Sequence, residues 1–150
     1  MRGTSKIVGV CGAILLAGVA GLAIQGARSA CRPVSGASSV SVNVANLPNG
    51  DAQSYCYTDR AGQRLRFILA RGSDGIVRSV FDACRQCFTF HRGFKISHGE
   101  LICRVCGNHY PMAHMTEGKA SCIPASLPHQ GAGAKVTIRT SDLESGRYLF

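Results

Sequence analysis

Two Cys-x-x-Cys pairs, Cys84 with Cys87 and Cys103 with Cys106, constrain the fold of this chain more than any other feature. Fifteen residues lie between the pairs, which is within the spacing known for four-cysteine sites. Thiolates are soft ligands, and two such pairs can enclose one tetrahedral zinc or iron ion or the irons of a small cluster. The sequence therefore predicts a metal centre held by these four cysteines.

Alternative roles remain open for all of the cysteines. For the two pairs, the alternative to metal is two disulfides, which an exported protein would permit. We favour metal, because close pairs in tight turns suit one ion better than two strained bridges. Cys122 is a candidate additional ligand, with a disulfide to Cys56 or a free buried thiol as its alternatives. Cys31 is expected to serve as an anchor or to have no role, and Cys11 to be a small apolar residue in a bilayer.

The N-terminal segment is apolar enough to be a signal peptide or a membrane anchor. Residues 7–24 carry no charge, and Arg2 and Lys6 precede them, as in the basic region of a secretory signal and under the positive-inside rule. Arg28 and Arg32 on the far side weaken that orientation. We predict a single membrane anchor within residues 1–30, with the soluble domain on the outer, periplasmic or extracytoplasmic face. The alternative is an exported and cleaved protein.

Length and charge limit the rest of the chain. After residues 1–30, a linker of small residues at 31–39 leads to one domain at 40–150, since about 120 residues support a single modest core. The chain has 17 basic and 8 acidic residues, a formal net charge of +9. Its arginines are scattered along the sequence, which favours solvated faces or anionic lipid head groups over nucleic-acid binding.

The pattern beyond residue 40 is one of short strands separated by turns. Val40, Val42 and Val44 alternate with polar residues, and the segment 71–75, Arg-Gly-Ser-Asp-Gly, marks a hairpin turn. We predict strands at residues 40–44, 55–58, 64–70, 76–81, 94–97, 100–102 and 135–140, and an additional edge strand within 142–150. The predicted fold is mainly β: a small antiparallel sheet domain with two zinc-ribbon or rubredoxin-like cysteine knuckles, preceded by one N-terminal hydrophobic helix.

Each cysteine pair is predicted to follow the end of a strand. In the second pair, the backbone N–H groups of the turn can point at the sulfurs, and Gly107 allows the chain to leave in a left-handed conformation. Large aromatic residues are expected in the core rather than at a cofactor. These are Tyr55, Tyr57, Phe67, Phe81 and Phe94.

Other side chains offer weaker alternatives. A histidine at 91, 98 or 109 could replace a sulfur, although an exposed loop histidine is the commoner explanation. Met112, His114 and Met115 could hold copper(I), but a hydrophobic turn that packs on the knuckles is the better interpretation. The sequence has no phosphate loop, nucleophile elbow or suitably spaced carboxylate pair. We therefore expect neither an enzyme nor a small-molecule substrate.

Several short motifs occur in an order that is similar to one known family. Over residues 40–150 the chain resembles the FtrD-like membrane iron-sulfur protein family. The resemblance is carried by Phe81 to Cys87, Gly93-Phe94, Ile102 to Gly107, Tyr110-Pro111 and Cys122-Ile123-Pro124 with Leu127. The family's cysteine motif falls on Cys84, Cys87, Cys103, Cys106 and Cys122. Ala120 and Ser121 stand where the family usually has glycines, and members often carry several membrane spans where this chain has one apolar segment.

The resemblance implies a membrane-associated iron-sulfur protein that is linked to iron uptake and passes electrons alongside a permease. We therefore predict a membrane-anchored protein with an iron-sulfur cluster or iron, in electron transfer or as an accessory of iron uptake. Its partners would be the membrane and membrane or periplasmic iron-transport proteins. The alternative is a structural zinc ribbon that acts as a protein-interaction module, since tetrahedral sulfur sites serve both metals.

Overall fold

A computed structural model of the protein describes residues 31–117, 122–131 and 133–150. The predicted anchor or signal within residues 1–30, together with Cys11, lies outside them. Across the three described ranges, no helix combines the length and the apolar character needed to cross a bilayer. The described chain is mainly β, with small sheets and little helix, which confirms the predicted fold class.

Ten strands and one short α-helix make up the regular structure of the described ranges. In chain order the strands are β1 (Arg32–Val34), β2 (Ser39–Asn43), β3 (Asp51–Thr58), β4 (Arg64–Arg71), β5 (Val77–Cys84), β6 (Phe94–Ser97), β7 (Glu100–Cys103), β8 (His109–Pro111), β9 (Pro124–Ser126) and β10 (Lys135–Arg139). The helix α1 is Thr140–Ser145, and 3-10 turns occupy Phe88–Phe90 and Arg147–Leu149.

A five-stranded sheet in the order β1-β3-β4-β5-β9 is the centre of the domain. Strand β4 is buried on both faces, so its sequence is a nearly continuous apolar run. Leu65, Phe67 and Leu69 point to one face, where β2, β10 and α1 cover them, and Ile68 and Ala70 point to the other. The sheet therefore separates two hydrophobic clusters, and the aromatic residues expected in the core are all buried.

The second cluster lies between the central sheet and the three-stranded sheet β6-β7-β8. Phe94, Leu101 and Tyr110 supply the small sheet's side of it. Met112 and Met115 are also buried there. These two thioethers pack as apolar residues, which agrees with a hydrophobic turn. His114, the third donor of the copper alternative, is exposed and pairs with Glu117 at 3.0 Å.

The segment expected to be a linker, residues 31–39, is part of the sheet. Strand β1 pairs in parallel with β3, with Arg32 opposite Tyr55. A proline at position 33 is tolerated because β1 is an edge strand. Cys31 and Cys56 form a disulfide with their Cα atoms 5.5 Å apart, which fixes β1 to its neighbour.

This disulfide corrects two expectations. Cys31 is neither an anchor nor without a role, and Cys56 is not a partner for Cys122. Sequence spacing could not show this, because the pairing depends on the register that sets β1 beside β3. The guanidinium of Arg64 lies 3.2 Å from the Cys31 sulfur and 3.1 Å from the Cys56 sulfur.

The expected edge strand within residues 142–150 is wrong. This segment forms the end of α1 and a 3-10 turn. Asp142 lies in the first turn of α1, where a negative charge is favourable, and Arg139 pairs with it at 2.8 Å. Leu143 and Leu149 enter the first hydrophobic cluster, so a helical arrangement buries them without another strand.

A buried ion pair ties this C-terminal turn to the turn between β3 and β4. The Asp59 side chain is fully buried, and Arg147 Nε lies 2.6 Å from its Oδ2. Burial alone would raise the pKa of Asp59, but the N–H groups of Gln63 and Ala61 and the Arg147 guanidinium lower it overall. A lowered pKa in the folded state adds stability above the unfolded pKa of about 4, and this stability is lost as the pH falls through the lower folded value.

We therefore expect Asp59→Asn to destabilise the protein at pH 7. The difference from wild type should shrink as the pH falls below about 4, where the unfolded wild-type carboxylate takes up a proton, and should level off below the lower folded pKa. Urea unfolding of both proteins between pH 7 and pH 2 measures it. Arg147→Gln should show the same convergence, and a difference that stays constant over this range would contradict the role given to the ion pair.

Candidate metal centre

Strand ends bring the five cysteines of the predicted motif to one place. Cys84 is the last residue of β5, and Cys103 is the last residue of β7. Cys87 precedes the first 3-10 turn, and Cys106 lies in the turn after β7. Cys122 lies two residues before β9, whose Pro124 pairs with Cys84. Three separate parts of the chain thus converge on one point at the edge of the central sheet.

The sulfur atoms of these cysteines are close to one another. The Cys122 sulfur lies 3.2 Å from that of Cys84, 3.7 Å from that of Cys87 and 3.0 Å from that of Cys106. Cys84, Cys87 and Cys103 form one group with all sulfurs within 4.8 Å, and Cys87, Cys106 and Cys122 form another. Cys87 belongs to both groups, so the five thiols make one centre.

These separations are close to those around a single ion. Tetrahedral thiolate ligands with metal–sulfur bonds of about 2.3 Å have sulfurs about 3.8 Å apart. The three separations from the Cys122 sulfur, 3.0–3.7 Å, are all shorter than that value. A cavity of about 10 Å³ lies beside Cys84, Cys87 and Cys103, which is about the space that one water molecule occupies. Binding of one ion would therefore require the sulfurs to move slightly apart, and binding of a cluster would require a larger movement.

The five cysteines of the centre differ in solvent exposure, from buried to exposed. Cys84 and Cys103 are 3% and 2% exposed, Cys87 and Cys122 are half-buried, and Cys106 is exposed. Cys84 and Cys103 belong to the second hydrophobic cluster, so the buried end of the centre is part of the core. Cys106 is the end that faces solvent.

Backbone N–H groups point at the sulfurs of both knuckles. Burial alone would raise the pKa of Cys84, but the Gln86 N–H and the Cys122 thiol lower it overall. Burial raises the pKa of Cys103, although the N–H groups of Cys106 and Val105 oppose this shift. The expectation that the second turn directs its N–H groups at sulfur is thus met.

Cys106 and Cys122 differ in acidity, although their sulfurs are 3.0 Å apart. Burial acts to raise the pKa of Cys106, but the Cys122 thiol and the Asn108 N–H lower it to about 7. Burial raises the pKa of Cys122 to about 11, with thiol contacts from Cys106 and Cys84 adding to the shift. Burial and the Cys122 thiol also raise the pKa of Cys87. Five such close sulfurs cannot all carry charge unless a cation lies between them.

Tyr110 holds the chain at Cys122. Its hydroxyl donates a hydrogen bond to the Cys122 carbonyl, and burial together with contact to Cys122 raises the pKa of the phenol. The edge of its ring meets Phe94 at 5.9 Å between centroids. The small sheet therefore positions the fifth cysteine. Ala120 and Ser121, where the sequence departs from the family pattern, lie outside the described residues.

Asp82 is a positioning residue to which the sequence analysis assigned no role. It lies two residues before Cys84, and its carboxylate accepts a hydrogen bond of 2.7 Å from the Phe94 N–H at the start of β6. Arg66 lies 3.6 Å from the same carboxylate. Burial raises the pKa of Asp82 despite these contacts. The carboxylate thus joins the strand of the first knuckle to the sheet of the second.

Gly93 leaves room for this contact, and its replacement is a direct test. The residue has φ +62°, and a Cβ there would overlap the Asp82 carboxylate. Gly107 has φ +73° but nothing within 4 Å of its Cβ position. We expect Gly107→Ala to cost about 1–2 kcal/mol for the left-handed backbone alone, and Gly93→Ala to cost more.

The comparison of these two alanine variants isolates the steric contact, because both share the backbone penalty. Chemical denaturation measures the two free energies of unfolding, and metal content measures the effect on the centre. Gly93→Ala should also lower metal content, since it separates the two knuckles. Equal losses in the two variants would show that Asp82 does not fix their relative position.

No histidine joins the thiol centre within the described residues. The groups of side chains there that could hold a metal contain only cysteines. His109 instead pairs with Glu100 at 2.7 Å, and His91 and His98 occupy positions with positive φ in exposed turns. The exposed-loop explanation therefore agrees with the structure.

Comparison with known proteins identifies the family. A family model described as "Membrane iron-sulfur containing protein FtrD-like" matches residues 47–150. No curated protein and no solved structure matches the chain. The match covers most of the chain and includes all five converging cysteines. The chain therefore belongs to the FtrD-like family of membrane iron-sulfur containing proteins.

Proposed function

We propose that Cys84, Cys87, Cys103 and Cys106 bind iron as thiolates, with Cys122 as an additional ligand. The iron would be a single ion or a small iron-sulfur cluster, and the protein would transfer electrons as an accessory of an iron uptake system. The observation that carries the proposal is the convergence of five sulfurs from three parts of the chain. The family name, which specifies iron-sulfur, favours iron over zinc.

The residues around the centre suit a carrier rather than a catalyst. Bound iron supplies one-electron chemistry. Cys84 and Cys103 hold the buried side in an apolar cluster, which limits solvent access and thereby tunes a redox potential. Backbone N–H groups directed at the sulfurs act on the potential in the same way. The exposed Cys106 provides the shortest route to a partner.

The disulfide elsewhere in the domain supports a metal-bound state of the thiols. A persistent disulfide such as Cys31–Cys56 is typical of an oxidising compartment. Thiols with sulfurs 3.0–3.7 Å apart would oxidise there unless a metal held them. The same disulfide supports placing the domain on the outer face of a membrane, anchored through residues 7–24, and the family name supports the membrane association.

The centre's dimensions also favour a second candidate, a structural zinc ribbon. Sulfurs spaced for one tetrahedral ion suit zinc as well as iron. Zinc would stabilise the fold around the second hydrophobic cluster, and the function of the domain would then be to bind another protein. Colour separates the two candidates, because iron thiolates absorb visible light and zinc, with its filled d shell, does not.

The test is metal analysis of the full-length protein, purified in detergent without air. We expect iron with visible thiolate absorption that Cys84→Ser abolishes and that a reductant and an oxidant change reversibly. The double variant Cys31→Ser/Cys56→Ser is the matched control and should keep its iron. Stoichiometric zinc without colour would establish the zinc ribbon, and disulfides among the five cysteines would overturn both candidates.

A further inference from the structure

Exposed apolar side chains are concentrated around the thiol centre. In the described part of the chain, four large apolar residues are exposed: Ile76, Phe90, Val105 and Tyr148. Val105 lies between Cys103 and Cys106, and Phe90 follows Cys87 by three residues. Tyr148 meets Phe88, the neighbour of Cys87, edge to face at 5.8 Å. Val105 also lines one cavity with Cys87, Phe88, His91 and Leu149. Phe90, Val105 and Tyr148 therefore lie beside the centre, whereas Ile76 lies in the hairpin between β4 and β5.

These side chains are more exposed than isolated surface residues require. Phe90 is 65% exposed and Tyr148 is 69% exposed. Single exposed apolar residues are ordinary, but a group of them is typical of an interaction site. Aromatic residues and arginines are also enriched in protein interfaces. We name the surface formed by Phe90, Val105, Cys106 and Tyr148, with the nearby arginines, the Cys106 face.

Three arginines give this face a positive charge. Arg85, Arg92 and Arg104 are exposed, and none of them forms an ion pair within the described residues. The cysteine segments 84–93 and 103–108 contain no carboxylate. The nearby carboxylate of Asp82 is mostly buried and already contacted by the Phe94 N–H. Arg85 and Arg104 each directly follow a cysteine of the centre, and Asp82, whose pKa burial raises, is the carboxylate whose pKa Arg104 acts to lower. The cysteine segments therefore add positive charge beside the centre.

We propose that the Cys106 face docks an acidic electron-transfer protein. This inference rests on the proposed function, since the partner would exchange one electron with iron at the centre: the partner loses the electron and iron(III) becomes iron(II), or the reverse. The apolar residues supply a small contact area beside the exposed sulfur, and the arginines select a partner with carboxylates around its own redox group. Such charge complementarity acts mainly on the association rate and on partner choice.

The arrangement favours a protein over a lipid surface. Anionic head groups would also attract arginines, but a membrane gives no use for an exposed thiolate ligand at the centre of the face. Docking on protein also explains why the apolar and basic residues lie beside the centre.

The test uses the full-length, metal-loaded protein in detergent and flavodoxin, an acidic one-electron carrier, as the probe. Binding of the protein to immobilised flavodoxin is measured over a range of salt concentrations. We expect association that weakens as salt rises and that falls about tenfold or more at low salt in the variant Arg85→Glu/Arg92→Glu/Arg104→Glu. Phe90→Ser should weaken binding at all salt concentrations.

Matched controls separate this surface from general charge and apolar effects. Lys135→Glu, on the exposed end of β10, and Ile76→Ser, in the hairpin between β4 and β5, should leave binding unchanged. Cytochrome c, a basic carrier, should not bind. Equal effects of the control and test variants, or no preference for flavodoxin, would overturn the proposal. It would also be overturned if the three arginines were needed for binding to phosphatidylglycerol vesicles but not to flavodoxin.

The visible spectrum of each variant shows whether iron is still bound. Failure of the docking proposal can therefore be distinguished from failure of the proposed function. Variants with a normal iron spectrum and unchanged flavodoxin binding would overturn the docking surface and leave the iron centre intact. A wild-type protein without iron would instead overturn the proposed function, whatever flavodoxin binding showed.

Discussion

Replacing both Cys31 and Cys56 with serine is expected to lower the free energy of unfolding by about 3 kcal/mol. The disulfide closes a loop with a sequence separation of 25 residues, and a loop of this length restricts the unfolded chain by about that amount. The edge strand β1 should also detach from β3, because only three residues pair there. Urea unfolding without reductant measures the change.

Reduction provides the matched control for this variant. Wild type unfolded with a thiol reductant should lose nearly the same free energy, whereas the double serine variant should be insensitive to the reductant. Iron content separates this effect from the metal centre. A loss below about 1 kcal/mol would show that the disulfide adds little to the domain, and a reductant effect on the serine variant would point to the thiol centre instead.

Cys103→Ser is expected to remove the metal and to destabilise the half of the domain that surrounds it. Cys103 is 2% exposed and contributes to the second hydrophobic cluster. A metal present at about a thousand times its dissociation constant stabilises the folded state by about 4 kcal/mol. This stabilisation disappears when the Cys103 thiolate is removed. We expect Cys103→Ala to lose the metal to the same extent, which would show that the buried serine hydroxyl of Cys103→Ser is not the cause.

Ile102→Val on the same strand is the control for this loss. It removes one methylene group from a half-buried side chain, which costs about 1 kcal/mol, and should leave metal content unchanged. Metal analysis and thermal unfolding with and without a chelator measure both effects. If the chelator destabilised wild type no more than Cys103→Ser, the metal would not be part of the folded structure.

Several features could be predicted from the sequence because they depend on local chemistry. The turn at 71–75 holds glycine where φ is positive, at Gly75, and this marks a hairpin without tertiary information. The cysteine spacing predicted two knuckles at strand ends, and Gly107 has the left-handed conformation expected there. The alternation of Val40 and Val42 with polar residues correctly predicted the half-buried strand β2.

The features that sequence analysis missed depend on contacts between distant segments. The Cys31–Cys56 disulfide requires the parallel pairing of β1 with β3, and three-residue strands carry too little pattern to predict. The role of Asp82 requires β6 to begin beside β5. Residues 142–150 show no clear alternation of apolar and polar side chains, and the burial of Leu143 and Leu149 depends on their contact with the first hydrophobic cluster.

The central claim is that Cys84, Cys87, Cys103 and Cys106, with Cys122 as an additional ligand, hold iron through thiolates. X-ray absorption at the iron edge of the anaerobically purified full-length protein tests it most directly. We predict about four sulfur atoms bound to iron at about 2.3 Å, with an iron–iron distance only if a cluster is present. Iron bound by oxygen or nitrogen, or a protein that contains zinc in place of iron, would contradict the claim.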